Sequence, residues 1–157
     1  LGLISGFAAS RLASRFGATA TLDVELHERL QKHARHLEKH VAELKESAER
    51  LVRAYRKEIV ERQQELERLS DMAIELFATA CVLARTQRLL AERGEPACGR
   101  ELALCDLFVV EAGRRFRTSR LAIQSPQDET RRVVARGVRE AGGYGVTDAI
   151  VTSSADR

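Results

Sequence analysis

The sequence has little of what a β-rich fold would need. Only 2 of its 157 residues are proline and 10 are glycine, it has no tryptophan, and aromatic residues make up 4% of it. Sheet proteins place turn residues between short strands, so this scarcity argues against strands and predicts helices. The length is that of one domain that buries a core of its own.

Charge of one sign is also lacking. The 26 basic and 23 acidic residues are interspersed along the chain and leave a formal net charge of +3. Nucleic-acid modules carry a basic stripe with aromatic platforms for the bases, and neither is present. We therefore expect a solvated helical surface and no nucleic-acid partner.

No run of about 18 apolar residues occurs, so the sequence predicts no membrane span, and no segment resembles a signal peptide. The three cysteines, Cys81, Cys98 and Cys105, are an odd number. We expect them to be buried and reduced, which favours a cytoplasmic location. Because the chain begins at Leu1 without an initiator methionine, we expect it to be part of a longer protein.

The first 21 residues are expected to form a segment of their own. Leu3, Phe7 and Leu12 fall on one side of a predicted short amphipathic helix, with Arg11 and Arg15 on the other. Packing of this helix against its own domain is the favoured interpretation. Docking of residues 1–16 onto a membrane surface or a partner is the alternative. A helical domain over 22–146 and a tail over 147–157 complete the expected organisation.

A long stretch from Leu22 to Arg93 contains neither glycine nor proline, and Asp23 is a plausible N-cap for it. Its first part carries an apolar stripe at alternating spacings of three and four: Leu30, Ala34, Leu37, Val41, Leu44, Ala48, Leu51 and Tyr55. Such a stripe serves a coiled coil or a helix packed lengthwise in a bundle, and we favour the bundle.

The apolar pattern fades over 56–64, which predicts a turn there, and resumes at Leu66. The following helix is apolar nearly all round over 74–84, so we expect it to be central. A loop with Gly94, Pro96 and Gly99 precedes a third helix over 102–123. Ser125 and Pro126 open a fourth helix, which Gly142 and Gly143 end. The sum predicts an all-α antiparallel bundle of four main helices.

Candidate chemistry is sparse. His33, His36 and His40 lie on the predicted first helix, and His36 and His40 lie one helical turn apart, as two zinc ligands would. No third ligand is in register, and Lys32, Arg35 and Lys39 surround them. We expect these histidines to lie on a solvated helix face and to bind no metal. Glycines at 142, 143 and 145 follow a helix and lack the sequence of a phosphate loop.

Two carboxylates, Asp106 and Glu111, interrupt the apolar third helix. A half-buried carboxylate can act as a general base, but Arg114, Arg115 and Arg117 are close by in the sequence. Pairing with arginine is the favoured interpretation. We therefore assign no catalytic, cofactor-binding or metal-binding residue.

Two stretches carry a family resemblance: LSDMAIELFATACVLARTQR over Leu69–Arg88 and LCDLFVVEAGR over Leu104–Arg114, followed by REAGGYG at the end of the last helix. Together with their order and spacing over 23–146, they resemble the extra C-terminal domain of the very-long-chain acyl-CoA dehydrogenase group. That group includes a relative that assists assembly of respiratory complex I. The resemblance identifies this chain as a bacterial homologue of that domain.

The resemblance implies an acyl-CoA dehydrogenase core elsewhere in the parent protein, where FAD accepts a hydride and a glutamate removes a proton. It implies no cofactor in this chain, packing of the domain on the rest of its own chain, and a homodimeric parent that is cytoplasmic or membrane-peripheral. We therefore expect a non-catalytic domain for assembly and localisation of a β-oxidation enzyme. A stand-alone helical interaction or dimerisation module is the alternative.

Overall fold

The structure, a computed structural model, describes residues 25–143, which contain four α-helices. In chain order these are α1 (Glu28–Tyr55), α2 (Gln63–Arg93), α3 (Gly99–Ala122) and α4 (Gln127–Glu140). Short 3-10 helices, Arg56–Glu61 and Glu95–Ala97, make the first two connections. Residues 25–143 contain no strand, and the prediction of an all-α helical bundle is confirmed.

The first described helix is tied to the second at its start. His27 is the N-cap of α1, and its imidazole accepts a hydrogen bond from the Arg29 backbone N–H. The His27 backbone N–H in turn donates to the Gln87 side-chain oxygen, over 2.8 Å. Asp23 was expected as the cap, but α1 begins at Glu28 and Asp23 lies outside the described residues. The expectation was wrong because an imidazole nitrogen serves as the acceptor there.

The apolar stripe of α1 packs within the chain itself. Leu30 and Leu37 belong to one buried cluster with side chains of α2 and α3, and Leu51 is also buried. The prediction of bundle packing is therefore confirmed for these three residues, whereas Val41 of the same stripe is 37% exposed. His33 and Ser47 are buried beside it, so polar side chains share the side of α1 that faces its neighbours.

Buried hydroxyl groups are satisfied within their own helices. Ser47 on α1 and Thr79 and Thr86 on α2 each donate to the backbone carbonyl four residues earlier, at 2.8–2.9 Å. An unpaired buried hydroxyl would cost about 1–3 kcal/mol, so these bonds permit polar residues at core positions.

The chain reverses direction between α1 and α2, as the loss of apolar periodicity over 56–64 predicted. Arg56 has a positive φ of 47°, which ends α1, and the 3-10 turn follows. The Arg62 guanidinium carbon then lies 4.4 Å from the centre of the Tyr55 ring. This cation–π contact joins the last residue of α1 to the residue before α2.

Helix α2 has two different sides. One is buried against α1 and α3 through a row of apolar residues: Met72, Leu76, Leu83 and Leu90. The other carries exposed side chains: Ile74, Phe77 and Cys81. The expectation that the whole helix is central was therefore wrong for this second side. Within residues 25–123, α1 and α3 cover one side of α2 only.

The connection to α3 follows the predicted loop. Gly94 has a positive φ of 75°, a conformation that favours glycine, and Pro96 lies in the 3-10 turn. Cys98 is fully buried, and its thiol donates to the Leu89 carbonyl over 3.4 Å. This bond fixes the start of α3 against the end of α2.

Helix α3 occupies the range predicted for the third helix. It runs antiparallel to α2 and buries Leu102, Cys105, Ala112 and Phe116. Its bounds confirm the prediction of a helix over 102–123 to within three residues.

Residues 124–143 form a second unit that contains α4. The Ser125 hydroxyl accepts a bond from the Gln127 N–H at 3.4 Å, and Pro126 is the N-cap. Arg131 pairs with the buried Asp128 at 3.2 Å. The helix ends before Gly142, whose φ is 73°, as the glycine pair predicted.

Several expectations lie outside the described residues. These are the amphipathic segment of residues 1–21, its docking through residues 1–16, the boundary at 146 and the tail over 147–157. Within residues 25–143, no helix is both long and apolar enough to cross a bilayer.

We expect Met72→Ala to lower the free energy of unfolding by about 2–5 kcal/mol, because Met72 is 0% exposed and its loss leaves a cavity. The matched control is Leu121→Ala on α3, where the side chain is 81% exposed and the change should stay within about 0.5 kcal/mol. Urea unfolding of both variants measures the difference. Equal losses would show that the cluster around Met72 is not the core.

Candidate functional site

His33 does not lie on a solvated face, as the sequence analysis expected for the histidines of α1. It is 9% exposed, and its Nε2 lies 2.5 Å from an Asp106 carboxylate oxygen on α3. This bond joins α1 to α3. The sequence-based expectation was wrong because His33 lies three residues after Leu30 and four before Leu37, which is the spacing of the buried stripe itself.

His40 makes the second histidine contact between these helices. Its ring stacks on the Phe116 ring, with 4.4 Å between centroids and 26° between planes. Burial lowers the pKa of His40 below its usual value of 6.5; Glu43 opposes this shift, while Arg117, His36 and Lys39 add to it. The contact therefore suits a neutral imidazole.

The His36 and His40 pair does not gain a third metal ligand. Their ring centroids are 6.5 Å apart, and His40 is turned towards Phe116. In the part of the chain that the structure describes, no three His, Cys, Asp or Glu side chains come together as a metal site. A tetrahedral zinc site needs three or four such ligands, so this pair alone does not supply one.

Asp106 and Glu111, the two carboxylates that interrupt the apolar pattern of α3, both have partners, but only Glu111 pairs with arginine. Glu111 lies 3.4 Å from Arg114, as predicted, whereas Asp106 contacts His33. Arg115 instead crosses to α2 and donates two bonds to Glu75, at 2.6 and 2.9 Å. These contacts fix how α3 lies against its neighbours.

The three cysteines differ in exposure. Cys98 and Cys105 are buried, and burial raises the pKa of Cys105 although the side chain of Thr86, in contact with it, has the opposite effect. Cys81 is exposed on the outer side of α2, so the expectation of three buried thiols was wrong for it. An apolar sequence context around a cysteine does not distinguish a core side from an uncovered one.

The resemblance implies FAD in the parent protein, so the pocket at the start of α3 can be set against the needs of a dinucleotide. The pocket at the start of α3 measures about 500 Å³ and is lined by Glu95 and Asp106, while Arg29 beside them pairs with Glu95. A diphosphate would meet carboxylates there. These residues do not fit the cofactor.

The outer sides of α2 and α3 expose several large apolar side chains. Phe77 is 74% exposed, and its companions are Ile74 on α2 and Leu104, Leu107 and Val110 on α3. On each helix these residues recur every three or four positions, on the side opposite the core. We call this set the outer apolar residues. Large apolar side chains exposed along one side of a helix suit an interaction surface.

A comparison with protein families gives one match. The family described as ACAD9/ACADV, C-terminal domain, matches residues 28–144. The chain belongs to this family. The matched range contains all four helices. The resemblance of this chain to the very-long-chain acyl-CoA dehydrogenase group is thereby confirmed.

Full-length relatives carry the name very long-chain specific acyl-CoA dehydrogenase, mitochondrial. The Bos taurus protein is 33% identical over 131 residues, which is 82% of this chain and 20% of that protein. The Rattus norvegicus protein is 31% identical over 150 residues, or 91% of this chain and 23% of that protein. The chain thus spans about a fifth of the length of these relatives.

We expect one thiol to react with Ellman's reagent in the native chain and all three to react in denaturant, since only Cys81 is exposed. In the native chain, Cys81→Ser should abolish the reaction with Ellman's reagent. Cys98→Ser should leave the fast reaction of the Cys81 thiol unchanged. Absorbance of the released thiolate measures each stoichiometry. Fast reaction of the Cys81→Ser variant would contradict the burial of the other two cysteines.

Proposed function

We propose that this chain is the C-terminal, non-catalytic helical domain of an FAD-dependent acyl-CoA dehydrogenase of fatty-acid β-oxidation. In this proposal it serves the assembly of the parent enzyme, and catalysis belongs to the rest of the parent protein. The family match and the relatives support this assignment, because the chain corresponds to only about a fifth of the bovine protein.

The observation that carries the assembly role is the set of outer apolar residues. A side chain such as Phe77 contributes about 1.5–3 kcal/mol when it is buried, so a set of five exposed together favours a partner surface. We propose the dehydrogenase portion of the parent chain as that surface. It is joined covalently to this domain, so its effective concentration at the outer apolar residues is high.

The alternative of a stand-alone interaction module depended on the apolar stripe of α1. Leu30, Leu37 and Leu51 of that stripe are buried against the chain's own helices, which removes the coiled-coil surface that such a module would use. The structure therefore favours the domain proposal over this alternative.

We further propose that the parent is a homodimer and is cytoplasmic or membrane-peripheral, as the resemblance implies. The printed names of the animal relatives assign those proteins to mitochondria. A peripheral location would depend on residues 1–16.

The first experiment is purification of the native protein from its source with an antibody raised against this chain. We expect a polypeptide several times larger than 17.5 kDa with flavin absorption and a native mass of two polypeptides. Recovery from the soluble or the membrane-wash fraction gives its location. A colourless product near 17.5 kDa would contradict the proposal and favour the interaction module.

The docking surface is tested by Phe77→Asp in the parent protein and in the isolated chain. We expect Phe77→Asp to lower the free energy of unfolding of the parent by about 2 kcal/mol or more, because a carboxylate would be buried in the interface. The free energy of unfolding of the isolated chain should change little. Val60→Asp is the matched control, because Val60 is 65% exposed in the turn before α2. Equal effects of Phe77→Asp in both proteins would reject the outer apolar residues as the docking surface.

A further inference from the structure

The two histidine contacts between α1 and α3 differ in the group that faces the imidazole. His33 faces a carboxylate of Asp106, which attracts a charged imidazole. His40 faces the phenyl ring of Phe116, and the backbone at Gly113 also lies close to it. A Cβ placed on Gly113 would lie 3.5 Å from the His40 ring. A charged imidazole at position 40 has no carboxylate on α3 to receive it among these contacts.

We propose that the stack of His40 on Phe116 is a proton-sensitive contact, which holds the middle of α1 against α3 while the imidazole is neutral and loosens when it is protonated. The proposal goes beyond the assembly role and does not depend on it. It concerns a contact inside the chain, whichever surface the outer apolar residues meet.

The charges around His40 come from each helix that packs against it. On α1 these are His36, Lys39 and Glu43, on α3 Arg117, and on α2 Glu75, which lines the same small cavity of about 10 Å³. The Glu75 carboxylate is engaged by two hydrogen bonds from Arg115. The Glu43 carboxylate lies 3.8 Å from Arg120. Each acidic neighbour thus already has a cationic partner.

Two interactions act in the opposite direction: the attraction of the Glu43 carboxylate and that of the Phe116 ring. The face of the Phe116 ring attracts a cation, and such cation–π contacts contribute about 0.5–2 kcal/mol. Burial of the imidazole and the like charges of Arg117 and Lys39 oppose this attraction. Burial is the largest of the effects on the pKa of His40, and it lowers that pKa.

The direction of the pH dependence follows from this difference. In the unfolded chain His40 has its usual pKa of 6.5. As the pH falls, His40 therefore binds a proton in the unfolded chain before it does so in the folded chain. The contribution of neutral His40 is therefore complete above pH 6.5 and is lost as the pH falls through the folded pKa. Each pKa unit between the two states corresponds to about a tenfold rise in the opened population.

The test uses the intact protein that carries this chain and hydrogen exchange read by mass spectrometry. Exchange at the imidazole C2 position gives the pKa of each histidine, and we expect that of His40 to lie below 6.5. Amide exchange over residues 38–48 and 110–118, corrected for the intrinsic effect of pH, should rise between about pH 7.5 and 5.5.

Two variants separate titration from packing. His40→Phe keeps an aromatic stack and removes the proton site, so the acid-dependent rise should disappear. His36→Gln removes a neighbouring imidazole that makes no stack with Phe116, so the rise should remain. If His40→Phe does not fold, the imidazole exchange of the unmodified protein still shows whether the pKa of His40 lies below 6.5. A His40 pKa at or above 6.5, or an equal rise in His40→Phe, would overturn the proposal.

Discussion

The apolar row on α2 from Met72 to Leu90 is the contact on which the rest of the structure depends. α1 and α3 each pack onto it, and the buried cluster draws members from all three helices. Two hydrogen bonds near the ends of this row orient the helices. His27 donates to Gln87 near one end, and Arg115 donates to Glu75 near the other. Because exposed ion pairs contribute little, the row supplies stability and the polar bonds supply alignment.

The number, type and order of the four described helices followed from the sequence because periodic apolar residues and breakers report on them directly. The break near Arg56, the loop at Gly94 and the stop at Gly142 are all found at their predicted places. The first residue of a helix was harder to predict from the sequence. His27 caps α1 through an imidazole, and such a cap depends on side-chain geometry, which residue type does not reveal.

The candidate site was far less predictable than the fold. Phe77 and Leu76 are adjacent apolar residues, yet one is exposed and the other buried, because hydropathy does not tell which side of a helix is covered. His33 and His40 were expected on a solvated face because no third metal ligand was in register with them. Their spacing from Leu37 carried the correct signal, since residues three and four apart share a helix side.

The buried hydroxyls bear on how such a domain changes over evolution. Ser47, Thr79 and Thr86 each donate to a carbonyl of their own helix, so none of these bonds ties one helix to another. A small shift of a neighbouring helix therefore leaves these three hydroxyls paired. At these positions the packing depends on shape, and compensating changes of side-chain volume are tolerated. Such a core accommodates the sequence divergence seen between this chain and its mammalian relatives.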